Sequence, residues 1–362
     1  MKEKIYSFIF ALLIGGFMVG SIILPDKDIS TSERRKLAQL PTFSVEELMS
    51  GEYFSDLNDY FVEQFPLRDQ FRNLKGFVAT NIFKKTENNG VFIQGDYIYQ
   101  LDDQIDEKSV KHIVDLINKI QTNYITSNNV YYSIIPDKNY YLEDNTIPKL
   151  DYEKIEEYFA SNLNDMTYID LFNSLSLDSY YYTDIHWRQE CLGEVVNKIA
   201  SVMNLNKVTM PTTSKTYDKF YGALYGRIAS SLPADLLTYL SNDVINDAKV
   251  YNFEKNAYFN VYEENHLSNI DPYDVYLSGA SAILVIENEH QTNGKELVIF
   301  RDSFGSSLTP LLIENYSKIT MIDLRYVGSD FLKDLDIVKF NENQDVLFIY
   351  STPVINQSMT LK

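Results

Sequence analysis

Residues 296–307 have the sequence ELVIFRDSFGSS, in which an apolar stretch runs into Asp302 and Ser303 and then into small residues. The run from Leu297 to Phe300 predicts a buried β-strand, and the residues from Gly305 predict the start of a helix. In an open parallel sheet such a turn lies at the carboxyl end of a strand, where these folds bind their ligands. The stretch therefore predicts an α/β fold with a serine facing a crevice at the edge of the sheet.

The segments around this stretch alternate between strand and helix patterns. Such alternation is typical of a mainly parallel sheet covered by helices on both faces. Residues from about 204 to 280 lack a clean period and are interpreted as an insertion. Strands are predicted at 91–99 (a hairpin), 130–135, 167–171, 282–286, 296–300, 318–323 and 345–350, and helices at 107–126, 151–163, from 187 and from 305.

The N-terminus carries an almost unbroken apolar run at 5–24, preceded by Lys2 and Lys4 and followed by two aspartates. About twenty helical residues cross a hydrocarbon core of about 30 Å. Basic residues stay on the cytoplasmic side, which places the rest of the chain outside. The alternative is a cleaved signal peptide, but the run ends in a poor cleavage site. We therefore interpret 1–25 as an uncleaved anchor.

Residues 26–88 are interpreted as a tether followed by juxtamembrane helices, and 89–362 as the α/β domain. Phe54, Leu57, Phe61 and Phe65 recur near helical spacing, and Pro66 separates this pattern from a second helix. Two interpretations are open for these helices. They lie on the membrane as amphipathic helices, or they cover the domain's own core, which is the interpretation preferred from sequence.

Composition excludes several classes of function. The net charge of -19 argues against nucleic acid as a partner, because phosphate binding needs clusters of Lys and Arg. Cys191 is the only cysteine, so an internal disulfide and a cysteine-based metal cluster are excluded. The four histidines are scattered, without zinc-ligand spacing. No metal site is predicted.

A second stretch, YYYTDIHW at 180–187, contains Asp184 and His186 two residues apart. In an extended segment this spacing puts both side chains on the same side. A serine becomes a nucleophile when an imidazole accepts its proton and a carboxylate orients that imidazole. Purely structural interpretations also remain open. Asp302 or Ser303 is a preferred helix N-cap, and the Asp–His pair is compatible with a surface carboxylate and a hydrogen-bonded histidine.

Together the two stretches resemble the DHHW family, which is related to the SGNH-hydrolase-like domains of the alginate O-acetylation proteins. The segment TDIHW at 183–187 matches the name-giving motif except that Ile185 replaces its first histidine, and Arg301 stands where many SGNH proteins have glycine. The resemblance is carried by RRKLAQLP at 34–41, FPLRD at 65–69, IPDK at 135–138, TDIHW at 183–187, DSF at 302–304 and DLRY at 323–326.

The resemblance implies a three-layer SGNH-like fold with Ser303 as nucleophile, His186 as general base and Asp184 as its orienting partner. In most SGNH hydrolases the serine comes first along the chain, whereas here it comes last, as in the alginate acetylation proteins. Triads are defined by geometry and not by chain order. The candidates for oxyanion or substrate contacts are Gly222, Arg301, Trp187 and Arg325, with the Gly222 N–H as the oxyanion donor.

The function implied is that of an O-acetyltransferase or acetylesterase acting on a cell-surface or exported polysaccharide outside a bacterial cell membrane. An acetyl-serine intermediate needs neither metal nor organic cofactor. A multi-pass membrane protein delivering acetyl groups is the partner that the resemblance implies. The alternative is a non-catalytic carbohydrate-binding or envelope-assembly protein on the same scaffold.

Overall fold

A computed structural model describes residues 2–30, 33, 35–83, 85, 87–126, 129–143, 147–206, 208–228, 232–332, 338–342 and 344–362. The chain forms two compact units. The first comprises Met1–Phe92 and Tyr225–Leu232, and the second comprises Ile93–Leu224 and Pro233–Lys362.

The first unit begins with an exposed helix, α1, of which Lys4–Ile23 is long and apolar enough to cross a membrane. The predicted break at Pro66 separates two later helices, α3 and α4. Among the described residues α3 buries no side chain and α4 buries only Gly76, so within the first unit these helices do not cover an apolar core, against the interpretation preferred from sequence. The elements are α1 (Lys2–Ile23), β1 (Ile29–Ser30), β2 (Arg35–Lys36), α2 (Val45–Ser50), α3 (Glu52–Glu63), α4 (Arg68–Phe77), a π-helical turn (Val78–Ile82), β3 (Glu87–Asn88) and β4 (Val91–Gln94).

Outside 204–280 the remaining elements alternate as the sequence predicts, and the hairpin at 91–99 turns at Gly95, whose φ is +60°. They are β5 (Tyr97–Gln100), α5 (Glu107–Tyr124), β6 (Asn129–Ile135), α6 (Tyr152–Asn162), β7 (Thr167–Tyr168), α7 (Gly193–Val202), β8 (Thr213–Phe220), α8 (Tyr225–Ile228, in the first unit), β9 (Asp235–Ser241), α9 (Asp243–Asp247), β10 (Lys249–Asn252), β11 (Ala257–Phe259), β12 (Ile283–Glu287), β13 (Glu296–Arg301), α10 (Phe304–Leu308), β14 (Lys318–Ile322), β15 (Gln344–Ser351) and α11 (Thr352–Ile355).

A central sheet has the strand order β11-β10-β12-β14-β13-β15-β6-β7. The neighbours β14, β13, β15, β6 and β7 run parallel, whereas β12, β10 and β11 pair antiparallel at one edge. The segment interpreted as an insertion supplies β10 and β11 of this sheet and the separate hairpin β8–β9. Its strands escape a search for periodicity because β8 is exposed at most positions and β10 and β11 have four residues or fewer.

The sheet is buried on both faces, which confirms the predicted three-layer α/β arrangement. Along β13, Leu297 and Ile299 belong to the apolar core under α7, while Val298 and Phe300 belong to the core under α5 and α6. Two helices begin one residue after an aspartate. Asp106 accepts two N–H groups at the start of α5, and Asp151 accepts the N–H of Lys154 in α6. The helix predicted from 187 begins only at Gly193, after a 3-10 turn.

Candidate active site

The serine turn lies at the carboxyl end of β13, which has a parallel strand on each side. Asp302 is fully buried, and its carboxylate accepts the N–H of Phe304 at 3.0 Å. Its second oxygen accepts the N–H and the hydroxyl of Ser351, both at 2.7 Å, at the end of the adjacent β15. Asp302 therefore fixes the turn, and the Ser303 side chain makes no capping hydrogen bond to α10.

His186 joins the serine to a buried carboxylate. Its Nε2 lies 2.8 Å from Ser303 Oγ, and its Nδ1 lies 2.5 Å from Asp184 Oδ1. Asp184 Oδ1 also accepts the His186 backbone N–H at 3.0 Å, and Oδ2 accepts the Ala223 N–H at 2.7 Å. With Nδ1–H donating to Asp184, Nε2 is left as the acceptor for the serine proton. This is the geometry that activates a serine hydroxyl.

Aromatic rings fix the plane of the imidazole. Tyr273 stacks on His186 with ring centroids 4.0 Å apart and an interplanar angle of 10°. Its hydroxyl donates to Ser307 Oγ at 2.9 Å, and burial raises the pKa of Tyr273, so the phenol is neutral at physiological pH. Phe304 packs against the same imidazole at 4.8 Å. The histidine therefore has little freedom to rotate away from Ser303.

Lys138 supports the loop that carries the Asp–His pair. Its buried ammonium donates to the backbone carbonyls of Tyr181, Tyr182 and Asp184 at 2.9, 3.2 and 2.7 Å. Burial lowers the pKa of Lys138 to about 7, because desolvation outweighs the attraction of the nearby carboxylates. Lys138, the last residue of the IPDK stretch, thus positions Asp184 by binding the backbone of its loop.

Asp235 holds the same loop from the start of β9. Its carboxylate accepts the N–H groups of Tyr182 and Thr183 at 2.7 and 2.8 Å, together with the Thr183 hydroxyl. Burial raises the pKa of Asp235, although these hydrogen bonds oppose the shift. The segment interpreted as an insertion therefore supplies part of the framework around the site.

Gly222 requires a correction. Its N–H donates to Thr183 Oγ1 at 2.8 Å, so it is already occupied and does not act as an oxyanion donor. A Cβ at this position would collide with Asp184 Cα. The absence of a side chain instead lets residues 222–223 approach the Asp184 loop closely enough for the Ala223 N–H to reach the carboxylate.

Two further candidates are buried structural residues and not substrate contacts. Trp187 is fully buried, and its indole N–H donates to Ser307 Oγ at 2.9 Å, which ties the histidine loop to α10. Arg301 is 1% exposed and pairs with Asp323 at 3.4 Å. Its side chain lies under the first turn of α10, because a Cβ at Gly305 would lie 2.8 Å from Arg301 Cβ. Arg301 therefore leaves the approach to Ser303 open.

Arg325 follows β14, the parallel neighbour of β13, and its side chain is partly exposed. It donates through Nε and Nη2 to the two oxygens of Asp323 at 2.9 and 2.6 Å. Of the oxyanion and substrate candidates, Arg325 is the one that combines partial exposure with a place at the carboxyl edge of the parallel strands.

The comparisons with known proteins find a family match over part of the chain. Residues 33–147 match the DHHW protein family. The resemblance predicted from the sequence is thereby confirmed. The match includes most of the segment between α1 and β4 as well as Lys138, while Asp184, His186 and Ser303 lie beyond it. No curated protein matches the chain.

Solved structures extend the likeness to most of the chain. A DHHW family protein from Eubacterium siraeum has 21% identity and a TM-score of 0.61, over 74% of this chain and 93% of that one. Bacillus cereus PatB1 has 17% identity and a TM-score of 0.55, over 73% and 96%. The O-acetyltransferase domain of Pseudomonas putida AlgJ has 14% identity and a TM-score of 0.44, over 74% and 92%. The first two establish the SGNH-like fold.

Several residues of the site escape sequence reasoning. Asp235, Ala223 and Tyr273 lie in the aperiodic segment, and nothing local distinguishes them from surface or core residues. Lys138 did carry a signal, because IPDK at 135–138 is one of the stretches that resemble the DHHW family. Its partners are backbone carbonyls of a distant loop, which sequence does not display.

Proposed function

We propose that this chain is a serine-dependent O-acetyltransferase or acetylesterase that acts on a cell-surface or exported polysaccharide. The observation that carries the proposal is the hydrogen-bonded chain from Ser303 Oγ through His186 to Asp184. All three groups lie at the carboxyl edge of the sheet, where Ser303 is partly exposed and its two partners are buried.

The first half of the reaction forms an acetyl-enzyme. His186 Nε2 takes the proton of Ser303 as Oγ attacks the acetyl carbonyl carbon, and the developing imidazolium is stabilised by Asp184. When the tetrahedral intermediate collapses, the bond to the leaving oxygen breaks and His186 returns the proton to that oxygen. The product of this half is an ester between the acetyl group and Ser303.

The second half releases the acetyl group. His186 removes a proton from a sugar hydroxyl or from water, whose oxygen attacks the acetyl-serine carbonyl, and the proton returns to Ser303 Oγ. A sugar acceptor gives transfer and water gives hydrolysis, with the same residues in both cases. Arg325 is the candidate for a contact with the polysaccharide. The motif resemblance to the alginate O-acetylation proteins supports acetyl as the group transferred.

The proposal places the catalytic unit outside a bacterial cell membrane, held by α1. An external enzyme has no supply of acetyl-CoA, which supports a multi-pass membrane protein as acetyl donor. Phe17 of α1 stacks on Phe65 with ring centroids 5.0 Å apart. This contact supports an anchor that is retained, because cleavage of a signal peptide would remove one of the two rings.

The test uses the full chain and an activated acetyl ester. Acetate release should require Ser303, and a sulfonyl fluoride should label this residue in the wild type but not in Ser303→Ala, as read by peptide mass spectrometry. Ser306→Ala is the matched control, because Ser306 is a buried serine on α10, three residues after Ser303. Full activity in both Ser303→Ala and His186→Ala would refute the triad. A wild type that binds polysaccharide but neither releases acetate nor takes the label would support the non-catalytic alternative.

A further inference from the structure

Helix α4 and the residue before it present a row of apolar side chains to the outside of the first unit. These residues, named the outer stripe, recur at intervals of three or four positions, which places neighbours in the row close together on the helix surface. The outer stripe consists of Leu67 (56% exposed), Phe71 (45%), Leu74 (56%) and Phe77 (55%). Four large apolar side chains in one exposed row call for a covering surface.

The polar side of α4 is the side that the protein itself binds. Arg68 and Arg72 both pair with Glu33, at 2.8 and 3.0 Å. Lys75 donates to Asn89 Oδ1 at 2.9 Å, further along the helix. A surface helix of a soluble protein has the opposite arrangement, with its apolar stripe packed inwards and its charges in water. The inverted arrangement of α4 indicates an apolar surrounding on its outer side.

Contacts with α1 show at which depth the outer stripe begins. Phe17 lies 5.7 Å from Phe71 and stacks on Phe65, measured between ring centroids. Gly20 has no side chain, and a Cβ there would lie 3.2 Å from Pro66 Cγ. Phe17 comes six residues before the end of α1, which is about 9 Å along a helix at 1.5 Å per residue. If α1 spans a bilayer, the ring cluster formed by Phe17, Phe65 and Phe71 lies inside the hydrocarbon region.

We propose that α4 lies in the outer leaflet of the membrane, with the outer stripe among the lipid acyl chains and the rings of Phe65 and Phe71 packed on α1. The occupant of this surface is lipid. The stripe is continuous with the ring cluster on α1, and α1 is itself unburied along its apolar length. The chain is then held in the membrane by two neighbouring helices, α1 as the span and α4 as the embedded helix. Together they restrict the tilt and rotation of α1 more than a single span does.

The test measures how deep a label on α4 lies in the membrane of vesicles made of phosphatidylcholine and phosphatidylglycerol alone, at a low ratio of protein to lipid. The full chain, whose intact mass shows that α1 is retained, carries Cys191→Ser and one new cysteine with a nitroxide label. Leu74→Cys reports the outer stripe, and Asn73→Cys is the matched control on another side of the same helix. Accessibility to oxygen, which concentrates in acyl chains, is compared with accessibility to a water-soluble nickel complex.

The label at position 74 should be accessible to oxygen and inaccessible to the nickel complex, and the label at position 73 should show the reverse preference. Equal access of nickel to both labels would overturn the proposal. Protection of the label at 74 from both reagents would also overturn it, because a protein surface would then cover the stripe. In the same assay Gly20→Leu should make the label at 74 shallower, whereas Gly15→Leu, with nothing within 4 Å, should not. An unchanged depth in Gly20→Leu would refute the role of the contact with α1.

Discussion

Replacement of Asp184 by asparagine tests the proposed catalytic chain at its most constrained point. The aspartate carboxylate accepts three N–H groups, two from His186 and one from Ala223. An asparagine has almost the same size but offers one acceptor oxygen and an NH₂ group. If its oxygen faces His186, the NH₂ group meets the Ala223 N–H. If it is turned round, the NH₂ group donates to Nδ1 and the proton moves to Nε2.

The second arrangement abolishes general-base catalysis, because a protonated Nε2 has no lone pair to accept the Ser303 proton. A wrong tautomer in such a triad lowers kcat by about 10⁴, which corresponds to about 5.5 kcal/mol. Either arrangement also places a buried donor against another donor, at a cost of about 1–3 kcal/mol in stability. We therefore expect Asp184→Asn to fold, to melt at a lower temperature and to lose about three to four orders of magnitude in kcat.

Acetate release from 4-nitrophenyl acetate, followed with the full chain in detergent micelles, measures this loss. Asp115→Asn is the matched control, because Asp115 is an exposed aspartate on α5 that pairs with Lys111. The control should keep wild-type kcat. If Asp184→Asn retains more than about a tenth of wild-type kcat while folded, the imidazole does not depend on this carboxylate, and the reasoning is refuted.

Three further predictions concern the framework of the site. Burial lowers the pKa of Lys138 from 10.5 to about 7, so between these values the unfolded chain binds one more proton than the folded chain. The free energy of unfolding should therefore rise by about 1.4 kcal/mol per pH unit in that window, and urea titrations from about pH 7 to 9 should show this rise lost in Lys138→Met. Gly222→Ala should lower kcat and cost about 1–3 kcal/mol in stability through collision with Asp184, whereas calorimetry should find Gly193→Ala, whose Cβ has ordinary contacts, close to wild type. Tyr273→Leu should lower kcat about two- to tenfold by removing the ring stacked on the imidazole, and Tyr273→Phe should not; equal kcat in the two variants would contradict this role.

Much of the fold is predictable because its signals are local. The parallel strands β6, β13, β14 and β15 and the helices α5 and α6 all lie within a few residues of their predicted bounds, since a buried strand and an amphipathic helix each impose a short period on the sequence. The strand–Ser303–helix junction and the two-residue spacing of Asp184 and His186 are local in the same sense. The apolar run of α1 needs only a count of residues.

Which of these local elements and motifs lie together was decided by the tertiary structure. Ser303 and His186 are 117 positions apart, and their 2.8 Å contact depends on the path of the whole chain between them. The partners of Asp184 and the occupied N–H of Gly222 follow from that same path, as does the burial of Trp187. Hydrogen bonds between distant segments leave no period in the sequence, because their geometry is fixed by packing and not by spacing. The helix after Pro66 was predicted from the sequence, but only the ion pairs on the polar side of α4 show which way this helix faces.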